Sequence, residues 1–218
     1  MTLSDRDLTE QGLTLDTGGA ARLLVIGCGA IAREILALKA TNGWTHMDLA
    51  CLPAILHNHP DRIAPAVEAM IKEKSERYET IFVAYADCGT GGYLADVCER
   101  HGAEMIAGPH CYSFFEGNER FAERAADEID SFYLTDFLVR QFDAFVWRPL
   151  GLDRHPDLIH SYFAHYRRLV YQAQVNDPAL DAKAEECAAR LGLAYERRFT
   201  GYGDLQSALA SVAQQRPG

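Results

Sequence analysis

The sequence predicts an α/β fold: an open, mainly parallel, Rossmann-like sheet with a long helical insertion before its last βα unit. Three observations predict it. Short apolar runs recur at residues 22–29, 47–52, 80–86 and 104–108. The first three are followed by segments with helical spacing of apolar residues, and the connections are short. The runs also stay apolar at nearly every position, as strands buried on both faces of a parallel sheet do.

Each element follows from its residues. Residues 1–20 are polar and acidic and read as a flexible N-terminal arm, leaving a single α/β domain over 21–214 and a frayed tail at 215–218. Run 22–29 ends in glycine, and Ile31, Ile35, Leu36 and Leu38 then mark a helix that Asn42-Gly43 stops. After 47–52 comes a loop rich in His and Asn. A helix over about 62–77 follows, with Ile63, Val67, Met70 and Ile71 facing inward. Run 80–86 leads into Asp87-Cys-Gly-Thr-Gly-Gly92 and a helix over 93–99. Residues 119–192 read as the helical insertion, with helices near 119–130, 132–146, 156–174 and 178–191. Within it Phe132, Tyr133, Phe137, Phe142, Phe145 and Trp147 read as core packing. A strand at 193–199, Thr200-Gly-Tyr-Gly203 and a helix over 204–212 close the chain.

Composition narrows the function. The 218 residues carry 21 Lys and Arg against 31 Asp and Glu, a net charge of −10. That balance argues against nucleic acid or an anionic membrane as partner. No stretch reaches the roughly 18 apolar residues of a membrane span, and the N-terminus lacks the basic and apolar regions of a secretory signal. A cytoplasmic location is expected, where six cysteines stay reduced unless they hold metal or do redox chemistry.

The cysteines carry the sharpest signal. Cys28, Cys51, Cys88 and Cys111 each fall at or just past the carboxyl end of a predicted strand, and those ends share the ligand-binding edge of an open parallel sheet. Cys28 to Cys51 and Cys88 to Cys111 are both 23 residues apart, one βαβ step. Reduced thiols with His110 beside Cys111 suit zinc, the first choice, or an iron–sulfur cluster as the alternative. Zinc would bind a substrate thiol as thiolate and activate it. Inert buried thiols are the structural alternative, and Cys98 and Cys187 on predicted helices fit that description.

Other candidates surround this edge. Gly89, Thr90, Gly91 and Gly92 can present backbone N–H groups to an anion at a helix start, or can simply form a tight turn. Asp87, Arg154, His155 and Tyr202 are expected to orient substrate, Arg154 by pairing with a carboxylate. His57 and His59 follow the second strand. Gly27-x-Gly29 begins a dinucleotide fingerprint but meets Ala32 where glycine is needed.

The chain resembles a bacterial and archaeal family catalogued as domain of unknown function 1638. The resemblance covers about residues 22–210. It rests on Ile26-Gly-Cys-Gly-Ala-Ile-Ala, Cys51-Leu-Pro-Ala-x-Leu-His-Asn, Tyr85-Ala-Asp-Cys-Gly-Thr-Gly-Gly, Gly108-Pro-His-Cys-Tyr, Leu150-Gly-Leu-Asp-Arg-His-Pro and Thr200-Gly-Tyr-Gly-Asp. It implies work beside corrinoid proteins and corrinoid- or folate-dependent methyltransferases. The corrinoid would arrive on a partner, because Asp153-x-His155 lacks the glycine of the lower-ligand motif at Leu158. The expected function is therefore methyl transfer from a corrinoid partner to a small thiol or amino-acid thiol such as homocysteine, at a metal-thiolate site. The alternatives are a non-catalytic metal or cofactor chaperone for such methyltransferases, and a metal-free enzyme with Cys88 as nucleophile.

Overall fold

A computed structural model describes residues 3–18 and 22–214, so the expected tail at 215–218 lies outside the described residues. The chain forms two compact units, one from residues 1–114 with 204–218 and one from 115–203. The fold is α/β with mainly parallel strands, as expected from the sequence.

The first unit contains α1 (Asp5–Glu10), β1 (Leu13–Leu15), β2 (Leu23–Cys28), α2 (Ala32–Asn42), β3 (Met47–Leu52), α3 (Ile63–Lys74), β4 (Thr80–Ala84), α4 (Tyr93–Arg100) and β5 (Glu104–Met105). Its sheet runs β1-β3-β2-β4-β5, parallel throughout except for the antiparallel edge strand β1. β2 is central: the chain leaves it through α2 for β3 on one side, then crosses back through α3 to β4 on the other. The gap beyond the carboxyl ends of β2 and β4 is thus a topological switch point, where such sheets bind ligands. Register sets Gly27 opposite both Cys51 and Ala84, so the three strands end level. All six residues of β3 are buried, Asp48 included, and its carboxylate takes the Tyr78 hydroxyl at 2.8 Å and the Thr17 N–H at 2.9 Å.

The N-terminal arm is not loose. Ser4 caps α1, β1 pairs with β3, and Leu8 is fully buried. A six-residue helix and a three-residue strand are too short to leave a periodic signal, so the sequence hid them. Backbone contact docks them. A Cβ on Gly29 would stand 2.3 Å from the Leu8 carbonyl oxygen, and one on Gly12 (φ +77°) 2.1 Å from the Cys51 carbonyl oxygen. Gly29→Ala is expected to cost about 1–3 kcal/mol, as overpacking does. Hydrogen exchange should locate the loss in residues 5–15; unchanged protection there would show that the docking is looser than this geometry.

The second unit corrects the helical insertion. Helix α5 (Cys111–Glu116) spans the boundary. There follow α6 (Asn118–Arg124), β6 (Ser131–Thr135), α7 (Asp136–Arg140), α8 (Ile159–Phe163), β7 (Arg168–Ala173), α9 (Pro178–Leu191) and β8 (Ala194–Phe199). Strands β6, β7 and β8 form their own parallel sheet in that order. Residues 132–135 and 168–173, read as helix, are strands because their aromatic and β-branched residues pack in a sheet interior. α9 matches its expected span: Asp177 caps it, Pro178 opens it, and Gly192 ends it in the left-handed conformation. Helix α10 (Gly203–Gln214) returns the chain to the first unit. Among the described residues no helix is long and apolar enough to cross a membrane.

Candidate functional site: a thiol-lined pocket

A pocket opens at the switch point of the first unit. Cys28 reaches it from the end of β2. Ala84, Tyr85, Ala86 and Cys88 come from β4 and the turn beyond, His57 from the loop after β3, and Cys111 from the start of α5. Apolar Ala30, Ile31, Ile63 and Phe114 complete the lining. Three of the four cysteines singled out from sequence thus converge, although 83 residues separate the first from the last.

Cys28 is the best supported sulfur. It ends β2 and caps the 3-10 turn Gly29–Ile31 that runs into α2, and its Sγ accepts the Ala30 N–H at 3.4 Å. A helix N-terminus stabilises thiolate. Burial nonetheless pushes the Cys28 pKa up, with the Ala30 N–H and the neighbouring Tyr85 hydroxyl pulling the other way. Cys88 is pushed up to about 12, first by burial and then by the Cys28 sulfur. Among the described residues it is the one non-glycine at positive φ (49°), its N–H bonded to the Pro109 carbonyl at 2.8 Å. Burial also raises Cys111 well above an ordinary thiol, with Cys88 and Cys28 adding to the effect. His57 is lowered by burial, so at neutral pH it is an uncharged imidazole able to accept a proton.

Several expectations change. Cys51 is buried outside the pocket lining; its sulfur lies 3.6 Å from where a Cβ on Gly27 would stand. His110 is absent from the lining too: its Nδ1 accepts the Ser113 N–H at 3.3 Å, in the first turn of α5. Among the described residues there is no group of three or more His, Cys, Asp and Glu side chains able to hold a metal ion. Cys98 and Cys187 are buried on α4 and α9, as inert thiols are.

The turn after β4 is occupied by the chain's own anion. The Asp87 carboxylate accepts the Gly92 N–H at 2.8 Å, the Gly91 N–H at 3.2 Å and the Thr90 hydroxyl at 2.8 Å. Gly89, Gly91 and Gly92 all take positive φ, which the tight turn requires. The Gly89-Thr90-Gly91-Gly92 cradle is therefore filled by Asp87 rather than open to a phosphate. These donors, the Gly92 N–H foremost, hold the Asp87 carboxyl below the usual carboxylate range. Its contribution to stability is full above the unfolded-state pKa and is lost as pH falls through the lowered folded value. Asp87→Ala is expected to cost about 1–2 kcal/mol in denaturant unfolding. No change at neutral pH would show that solvent serves those donors equally well.

Arg154, His155 and Tyr202 belong to the second unit and are not among the pocket's lining residues. Arg154 is exposed, 3.9 Å from Asp153, and His155 is exposed before the 3-10 turn Pro156–Leu158. His59 is exposed as well. Sequence reasoning offered His57 as a candidate at this edge but gave Tyr85 no weight. The available signal for Tyr85 was position alone: it follows directly on β4 at the switch point.

No curated protein matches the chain. A solved structure from Lactobacillus plantarum WCFS1, described as a candidate carboxylesterase, aligns at 11% identity over 93% of this chain and 84% of that one. Its TM-score of 0.24 is too low to carry any argument. The family model that matches begins at Cys51, so the Cys28 motif precedes the matched span. Residues 51–209, with Cys88, Cys111 and the turn between them, place this chain in the family described as Protein of unknown function (DUF1638).

Proposed function

We propose that the pocket is the active site of a metal-independent cysteine-nucleophile enzyme, with Cys28 as nucleophile and His57 as the base that takes its proton. One observation carries this reading: a sulfur at a helix start and a half-buried imidazole line the same pocket at the switch point. Burial raises the thiol and lowers the imidazole. Both then rest uncharged, and the proton moves only as the sulfur attacks, as in general-base catalysis by a serine–histidine pair. Cys28 is preferred to Cys88 because its sulfur caps the turn that opens α2 and accepts the Ala30 N–H at 3.4 Å. Free thiols suit a reducing compartment, the cytoplasm.

A second reading keeps the reaction implied by the family resemblance: methyl transfer from a corrinoid partner to a small thiol at a metal-thiolate centre. What favours it is three thiols in one pocket, a donor set suited to soft metals.

One experiment separates the two. Protein purified anaerobically from zinc- and iron-replete cells is analysed for metal, then alkylated with iodoacetamide and mapped by mass spectrometry. The first reading expects well under one equivalent of metal and alkylation of Cys28 at least about tenfold faster than of the helix-buried Cys98 and Cys187. Near-stoichiometric zinc or iron would replace it with the second. Equal sluggishness of all thiols would remove it.

A further inference from the structure

The lining of the pocket restricts what can enter. It contains no Asp, Glu, Lys or Arg. A carboxylate, phosphate or ammonium group there would lie in an apolar wall without a counter-charge, which is costly. The part of a substrate that reaches Cys28 is therefore uncharged, and any charged part stays outside.

Tyr85 supplies the second restriction. It is 3% exposed and lines the pocket, yet its hydroxyl has no partner in hydrogen-bond geometry. The hydroxyl lies beside the Cys28 sulfur, the one protein group among the described residues that it can turn toward, and it lowers the pKa of that thiol by donating to the thiolate form. Buried polar groups nearly always have partners, and an orphan in a cavity wall points to a ligand atom. A hydrocarbon ligand would leave it orphaned. A ligand with an acceptor oxygen would satisfy it, and that oxygen would sit close to the nucleophile. The uncharged group that joins an acceptor oxygen directly to an electrophilic carbon is a carbonyl.

We propose that the pocket receives the carbonyl end of a small neutral aldehyde, its oxygen held by the Tyr85 hydroxyl while the Cys28 sulfur adds to its carbon. This rests on the nucleophile reading above and names its substrate class. The addition balances without a further reactant. A sulfur–carbon bond forms, and the carbonyl π pair becomes the oxygen lone pair. The thiol proton passes to His57 and is returned to that oxygen, giving a hemithioacetal. Tyr85 acts as the electrophilic donor, in the way preorganised donors stabilise developing oxyanions. Burial pushes its pKa well up, which keeps the hydroxyl proton in place for that task.

The test titrates wild-type protein, Tyr85→Phe and Cys28→Ser with carbonyl-labelled acetaldehyde, following the hemithioacetal carbon by 13C NMR. Wild type is expected to form a saturable adduct that Cys28→Ser abolishes and that Tyr85→Phe weakens about tenfold, the loss of one buried hydrogen bond. Equal aldehyde affinity in Tyr85→Phe overturns the inference. An adduct surviving in Cys28→Ser overturns it too. If Cys28 alkylates rapidly but acetaldehyde does not add, only the substrate class fails; if neither occurs, the nucleophile reading falls with it.

Discussion

His57→Gln is expected to slow alkylation of Cys28 by about a hundredfold or more at neutral pH, the usual contribution of a positioned base. The shape of the pH profile is the stronger test. In wild type the rate should fall as pH falls through the His57 pKa, which burial sets below the ordinary value of about 6.5. Above that value the imidazole is already neutral and the rate should be nearly flat. In His57→Gln that limb should vanish. The rate should instead climb with pH, because the thiolate must form without help and burial has raised its pKa. A variant that keeps both the rate and the acidic limb would show that His57 is a lining residue only. The same shift has a stability consequence. The folded state resists protonating His57, so the stability it confers is full above the unfolded pKa and declines as pH falls below it.

Asp136→Ala is expected to produce the largest loss of stability, about 3 kcal/mol or more, read from denaturant unfolding. Asp136 is 1% exposed at the end of β6, where its carboxylate ties together the second unit's sheet. Oδ1 accepts the Tyr171 hydroxyl at 2.7 Å and the Gln174 N–H at 3.0 Å, and Oδ2 the Val175 N–H at 3.1 Å. Alanine would leave these three buried or half-buried donors unserved, at about 1–3 kcal/mol each before solvent or rearrangement recovers part of the cost. Burial raises the Asp136 pKa while these donors pull it down. Asp136→Asn keeps one acceptor oxygen and should lose less. A loss under about 1 kcal/mol for Asp136→Ala would mean that the backbone ladder and packing of β6 and β7 suffice without it.

The comparison of expectation with structure turns on particular elements. Strands β2, β3 and β4 were legible because parallel strands buried on both faces stay apolar at consecutive positions, and Cys28, Cys88 and Cys111 could be placed at their shared edge from topology. Strands β6 and β7 were not. Phe132 and Tyr133, like Leu169, Val170 and Tyr171, satisfy a helical pattern as readily as a sheet, and partners 37 residues away in the chain decided between them. The N-terminal helix and edge strand escaped because docking through Gly12 and Gly29 is a matter of steric room, which leaves no periodicity. At the site, Cys51 packs beside Gly27 and the His110 ring accepts the Ser113 N–H, so neither lines the pocket with the other three cysteines.

By itself the amino-acid sequence determined the α/β class, the family, and the edge of the sheet at which three of the cysteines gather. These follow from apolar patterning and chain order, which are local properties. Only the tertiary structure decided that three thiols rather than four share the pocket, that His57 rather than His110 joins them, and that Asp87 fills its own turn. Those outcomes depend on side-chain direction and on competition for a few backbone donors, and such choices are made by neighbours that folding brings together.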